Sequence, residues 1–320
     1  MGEGEQQNKA APGGIPGKDR GTSAPSSGNT ASFHLADGIF LPAVPVRHDE
    51  QEYPSRGFAL LRRMQQRHFW YRGRHRFVLH AVRRRLRRKQ PCAALRVVDM
   101  GCGCGAWIAD CMSDLELRGA EWAAADSSLT SLRHARQVLP GSVDLYQVDL
   151  LRLDWRNRWD IVFLLDVLEH LEDDARALRQ IAQAISPGGL LFLTVPALRC
   201  FWTWNDEMAG HKRRYSKASL GALAADVGLA ARDLRYFMFF LSPLLLASRW
   251  LTSHRVKGQA GQSAERVQEA LHRVPHPMVN LILKSVFFAE TPLGHYLPFP
   301  WGTSLLGVFE KPLEARRQAP

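Results

Sequence analysis

An apolar strand that ends in an acid and runs into alternating glycines, Val97-Val98-Asp99-Met100-Gly101-Cys102-Gly103-Cys104-Gly105, constrains this chain more than any other segment. Glycine has no Cβ to block positive φ, so the loop can turn tightly and let a ligand approach the backbone closely. A nucleotide-like ligand is implied. The dinucleotide fingerprint sets its third glycine after two intervening residues, whereas here the glycines alternate and the acid precedes them by two positions.

The residues that follow repeat one pattern. Leu95 to Met100 reads as a buried parallel strand, and Ala106 to Leu117 as the helix that crosses back from it. Three more apolar runs, Trp122 to Ala125, Val143 to Val148 and Ile161 to Leu165, each end in an acid: Asp126, Asp149 and Asp166. Asp126 falls about twenty residues past the glycine loop, where nucleotide folds keep a carboxylate for the ribose hydroxyls. Any one of these acids could be a helix cap or a loop residue. Together they mark the carboxyl edge of an open α/β sheet, where such folds bind ligands.

On these motifs the chain resembles the class I S-adenosylmethionine (SAM)-dependent methyltransferases. The resemblance implies a Rossmann-like α/β fold, with a mostly parallel seven-stranded sheet whose last strand is antiparallel. It also implies SAM as cofactor, with Asp99, Gly101, Gly103 and Gly105 against the methionine part, Asp126 on the ribose and Asp149 at the adenine amine. Asp166, at the end of the fourth strand, joins the same set.

The segment His68-Phe69-Trp70-Tyr71-Arg72-Gly73-Arg74 resembles the N-terminal cap that small-molecule methyltransferases fold over SAM. There an arginine can pair with the cofactor carboxylate, so Tyr71 and Arg74 join the cofactor candidates. With Asp206-Glu207 and Gly210-His211-Lys212-Arg213-Arg214-Tyr215, this segment resembles a bacterial-type subgroup related to the ubiquinone-biosynthesis methyltransferases.

Ser186-Pro187-Gly188-Gly189 is expected to stop a helix before a strand from Leu190 to Val195. The aromatic, acidic and basic loop that follows suits an acceptor, which makes Trp202, Trp204, Arg214 and Tyr215 candidate substrate contacts. The plain alternative is a loop pinned by its own salt bridges. A sulfonium methyl is already electrophilic, so the protein mainly aligns the acceptor and excludes water. An oxygen or nitrogen acceptor also loses a proton, a task suited to histidine. His170 is assigned to positioning and His211 to the base, against the alternative of two structural histidines. Asp166, Glu169 and His170 have spacing that could hold a divalent metal, but a helix turn produces the same spacing and no metal is expected.

The expected organisation is an unstructured tail over 1–48, a helical cap over 49–93, the SAM-binding core over 94–236, an apolar helical insertion over 237–298, a final strand over 299–315 and a short tail over 316–320. The first segment is rich in Gly, Pro, Ser and Ala and buries too little apolar surface to offset its ordering entropy. No charged start followed by an apolar run marks a secretory leader. The five cysteines are scattered and read as reduced thiols of a cytoplasmic protein.

The runs Phe237 to Ala247 and Met278 to Ala289 are shorter than the roughly twenty residues that span a bilayer. They are expected to cover a greasy pocket or to lie in a membrane interface. A net charge of +11 and the arginines from Arg83 to Arg88 add an anionic membrane surface or nucleic acid as partners. Nucleic acid ranks lower, because Asp166-Val167-Leu168-Glu169 stands where base-amine methyltransferases carry Asn or Asp, then Pro-Pro and an aromatic. Its acids would also repel phosphates. The leading expectation is methyl transfer to a small-molecule or lipid-like acceptor. An RNA methyltransferase and a non-catalytic scaffold at a membrane surface are the alternatives.

Overall fold

The computed structural model describes residues 33–46, 48, 58–87, 94–247 and 274–313. In chain order its strands are β1 (Phe33–Ala36), β2 (Ile39–Pro42), β3 (Arg96–Met100), β4 (Glu121–Asp126), β5 (Asp144–Gln147), β6 (Trp159–Leu165), β7 (Ile185–Pro196), β8 (Ala230–Phe237) and β9 (Ser304–Glu310). Its helices are α1 (Phe58–Arg67), α2 (Phe69–Leu86), α3 (Ala106–Cys111), α4 (Leu129–Val138), α5 (Asp174–Ala184), α6 (Trp204–Met208), α7 (Lys217–Asp226) and α8 (Pro277–Tyr296).

One sheet runs β1-β2-β5-β4-β3-β6-β7-β9-β8. The five strands from β5 to β7 are parallel, and β9 runs antiparallel to both β7 and β8. The chain moves one way from β3 through β4 to β5, then returns to β6 and β7 on the other side. That reversal opens a crevice at the carboxyl ends of β3 and β6, the place where open α/β sheets take ligands.

Alternation along the strands explains why both faces of the sheet are covered. Val97, Ile161, Phe163 and Phe192 face one core, shared with Phe77 of α2, Trp107 of α3 and Phe287 of α8. Their neighbours Val98, Val162, Leu164 and Leu191 face the other, shared with Leu178 and Ile181 of α5 and Leu220 of α7. Near-continuous apolar runs are what a doubly covered parallel strand requires.

Three local expectations change. Residues 33–42 fall within the expected unstructured tail, yet β1 and β2 form a hairpin on the edge of β5, where Phe40 stacks on Tyr146 at 4.7 Å. A few apolar contacts on a sheet edge supply the burial that this segment cannot find alone. Helix α3 ends at Cys111, and Asp114 caps a separate 3-10 turn over Leu115–Leu117. The Ser186 to Gly189 turn lies inside β7: Trp159 pairs with Ile185 and Ile161 with Leu190, so the extra residues form a bulge. Arg96 and the Asn157 carbonyl both bond the Ser186 hydroxyl at 3.1 Å and hold that bulge.

The cap breaks at His68, whose ring accepts from the Trp70 amide at 3.2 Å and starts α2. Part of the arginine run is tied down: Arg83 pairs with Asp114, Arg87 with Glu116, and Arg84 bonds the His295 carbonyl. The apolar connection between β8 and β9 includes a helical stretch at 242–247 and then α8. Among the described residues no helix is long and apolar enough to cross a membrane.

Candidate active site

The carboxyl ends of the central strands open into a cavity of about 450 Å³, closed on one side by α1 and α2. The glycine loop forms its floor. Gly101 and Cys102 both donate backbone N–H to the Ala125 carbonyl, at 2.8 and 3.1 Å, which fastens the loop to β4. At Gly101 φ is +74°, and a Cβ there would lie 2.3 Å from Val167 Cγ2, so both the backbone and the packing require glycine.

Asp126 ends β4 and organises that loop. Its two carboxylate oxygens accept from Gly103 N and Ser128 N, each at 2.9 Å. Burial raises its pKa, while these amides oppose the shift. Asp149 accepts from Leu151 N at 2.8 Å. Asp99 is fully buried: burial pushes its carboxyl up to about 7, Arg74 pulls it down and Asp126 adds to the rise.

Arg74 enters from α2 and forms a buried ion pair with Asp166, a residue held at φ +57°. Its guanidinium lies 4.9 Å from the Trp70 ring centre and 5.3 Å from that of Tyr71, within cation–π range. Nε of Arg74 is buried with no partner. Burial raises the Tyr71 hydroxyl to about 12, so it stays neutral.

The opposite wall carries titrating groups on the loop after β7. His211 Nδ1 lies 2.9 Å from Asp206 Oδ1, an oxygen that also accepts from Arg214 Nε at 2.8 Å. The other oxygen of Asp206 accepts from Thr203 N at 2.8 Å, closing a capping box at the start of α6. Burial alone would raise the Asp206 carboxyl, but the bonds from His211 and Arg214 hold it well below the usual range. The ring of His170 meets that of His211 edge-on at 4.9 Å.

Glu169 lies beside this pair. Its side chain is 0 % exposed, and His211 Nε2 is 4.0 Å from its Oε1. Neither carboxyl oxygen has a hydrogen-bond partner. Burial, and then the charge of Asp166, push its pKa well above the ordinary value. Glu169, His170 and His211 each bring one donor atom to within 4.8 Å of the others, a spacing that suits a divalent cation. This set differs from the trio considered in the sequence, because Asp166 is turned to Arg74 and the fold brings His211 in its place.

The raised pKa of Glu169 has a measurable consequence. A carboxyl whose folded pKa is raised leaves stability unaffected below its unfolded pKa; the loss grows as the pH rises toward the folded pKa and persists above it. Glu169→Gln is therefore expected to raise the melting temperature by a few degrees at pH 8, a gain that shrinks toward zero as the pH falls to about 4. A gain that is absent at pH 8, or equal at both pH values, would contradict the assignment.

Asp99, Gly101, Gly103, Asp126, Asp149, Asp166, Tyr71, Arg74, His170, His211 and Arg214 all line this one cavity. Four candidates do not. Gly105 caps α3, where a Cβ would lie 2.9 Å from Leu139, so it serves packing. Tyr215 is buried and donates to Asp174 at 2.7 Å, on the far side of its loop. Trp202 points its indole N–H at Glu207, 3.4 Å away, and Trp204 opens α6. These three lie outside the cavity lining, to which their loop contributes Ala209, His211 and Arg214. The pinned loop of the plain alternative and the cavity wall are the same structure.

Several lining residues escaped the sequence. Glu169 entered the sequence reading only through a metal pattern and as an acid that would repel phosphates, and the Thr203-x-x-Asp206 capping box was the available sign that Asp206 turns inward. His48, bonded to Ser127 Oγ at 2.9 Å, and Leu61 and Gln65 of α1 carry no local signal.

The fold and this site define a nucleotide-cofactor transferase of the methyltransferase class. The chain belongs to the family described as the methyltransferase domain, which matches residues 62–234, and it is a SAM-dependent enzyme. It is 28% identical over 219 residues to a probable S-adenosylmethionine-dependent methyltransferase of Mycobacterium tuberculosis, covering 67% of this chain and 68% of that protein. It is 28% identical over 160 residues to a ubiquinone biosynthesis O-methyltransferase of Stutzerimonas stutzeri, covering 44% of this chain and 67% of that one. In fold it is similar to the complex between the Haloferax volcanii Trm112 methyltransferase activator and a methyltransferase. The TM-score is 0.53 at 16% identity, over 84% of this chain and 100% of that chain.

The cavity fits SAM on its own chemistry. A glycine loop that excludes Cβ atoms, a half-buried carboxylate at the end of β4 and a partnerless guanidinium Nε are the groups that would hold its backbone-like tail, ribose and carboxylate.

Proposed function

We propose that this enzyme methylates a hydroxyl of a small, largely apolar acceptor, with His211 taking the hydroxyl proton. The observation that carries this reading is the bond between His211 Nδ1 and the ionised Asp206 at the cavity wall. An ionised carboxylate only accepts, so Nδ1 donates and the lone pair of the neutral ring lies on Nε2. Nε2 faces Glu169, another cavity residue, and is the atom able to receive a proton.

Bound SAM supplies an electrophilic methyl group. The chain's residues do the rest. Asp206, fixed by Thr203 and Arg214, holds one tautomer of His211. Leu61, Trp70, Leu171 and Pro196 form walls that exclude water and favour an apolar body on the acceptor. Burial of Glu169, which raises its pKa, disfavours a second negative charge beside the transferring group.

A carboxylate acceptor would need no base, which leaves the His211 and Asp206 arrangement without a task. The relative named as a ubiquinone biosynthesis O-methyltransferase supports an oxygen acceptor.

The test is turnover by purified protein with SAM and a panel of alkyl-substituted phenols, fatty acids and amines. Methylation of phenols, rising with alkyl length, is the expected outcome. Turnover confined to carboxylic acids or amines would overturn the acceptor reading.

A further inference from the structure

Helix α8 is built inside out. Its buried residues include Glu290, Thr291 and His295, whereas Met278, Ile282 and Leu293 are 60 %, 58 % and 43 % exposed. A surface helix ordinarily turns its polar face to water. Here the polar groups are used internally: Glu290 accepts from Phe239 N and Phe240 N at 3.1 and 3.0 Å, and His295 Nε2 bonds the Phe77 carbonyl at 2.9 Å. The apolar stripe continues beyond the helix, since Phe240 and Trp301 are also exposed and share contacts with Phe239.

Cations fringe this stripe. Arg76 of α2 lies 4.7 Å from the Phe288 ring centre and Lys284 of α8 lies 5.7 Å from it. Arg67, exposed at the end of α1, accepts from Asn280 of α8 through its carbonyl. None of the three has an acidic partner among the described residues. The intervening sequence 248–273 carries five Lys or Arg against two Glu.

We propose that this face of α8, with Phe240 and Trp301, docks peripherally on an anionic lipid bilayer. Apolar side chains would enter the headgroup and acyl boundary while Arg67, Arg76 and Lys284 meet anionic headgroups. A second copy of the chain fits less well, because a two-fold contact through the stripe would set the same cations against each other. Residues 248–273 would not neutralise them either.

Docking places the cavity beside the lipid. Gly73 of α2 lets Phe287 of α8 pack where a Cβ would lie 1.9 Å from its ring, and the same helix carries Trp70, Tyr71 and Arg74 into the cavity. A lipid-dissolved acceptor would thus arrive next to the wall that closes the site. The inference itself does not depend on which acceptor is methylated.

The experiment is co-sedimentation of the full chain with vesicles of phosphatidylcholine alone or mixed with phosphatidylglycerol. Binding to the anionic vesicles should exceed binding to the neutral ones by about tenfold or more and should fall with salt. The pair Leu281→Asp with Ile282→Asp, and separately Arg76→Glu with Lys284→Glu, should each weaken it by about tenfold. SAM affinity and melting temperature should stay unchanged in both. Lys284→Gln, too mild to disturb the fold, should weaken anionic binding in the same direction.

Absence of vesicle binding, equal binding to both compositions or indifference to both pairs would overturn the proposal. So would loss of a dimer, seen by sedimentation velocity, as the only effect of the Asp pair.

Discussion

Asp126→Ala is expected to weaken SAM binding by on the order of 100-fold or more, with the overall fold retained. Two losses coincide. The carboxylate that would accept from the ribose disappears, and so do the acceptors of Gly103 N and Ser128 N that set the shape of the glycine loop. Asp126→Asn keeps one acceptor oxygen and should fall between wild type and alanine. Calorimetric titration measures both variants, and circular dichroism checks the fold. Near-wild-type affinity in the alanine variant would remove Asp126 from the cofactor site.

His211→Ala is expected to lower kcat roughly 100- to 10,000-fold on a hydroxyl acceptor, the range for loss of a positioned general base. SAM affinity should change little, because His211 lies on the wall proposed to meet the acceptor. Asp206→Asn should also lower kcat, since an amide can offer its N–H to Nδ1 and favour the wrong tautomer. The double variant should be scarcely worse than His211→Ala, as for groups that act as one unit. Full additivity would show that the two residues work separately, and an unchanged kcat in His211→Ala would end the general-base proposal.

The two predictions draw on regions that were unequally legible in the sequence. The cofactor side was readable because its signals are local. A strand end, a glycine loop and an acid lie next to one another in the chain, and parallel strands repeat that unit at Asp99, Asp126, Asp149 and Asp166. The acceptor side was read from composition alone. Aromatic residues near a loop suggested Trp202, Trp204 and Tyr215, but a loop has two sides. Only the hydrogen bonds of Asp206 decide which side faces the cavity.

Burial produced the other differences. The hairpin of β1 and β2 has little to pack against within its own segment, and the edge strand β5 provides the missing surface. Glu169 is an ordinary acid in the sequence, and the fold closes around it until both oxygens lack partners. In α8 the run of apolar residues was plain, but its orientation was not. Glu290 and His295 look like the polar face of the helix until the β8 end and α2 claim their hydrogen bonds.

The amino-acid sequence by itself determined the central strands, the glycine loop and the acids around it, because strand periodicity and glycine conformation act over a few neighbouring residues. The tertiary structure alone decided the His211 and Asp206 pair, the burial of Glu169 and the outward apolar face of α8. Each of those depends on what a distant segment withdraws from water, and no local pattern carries that information.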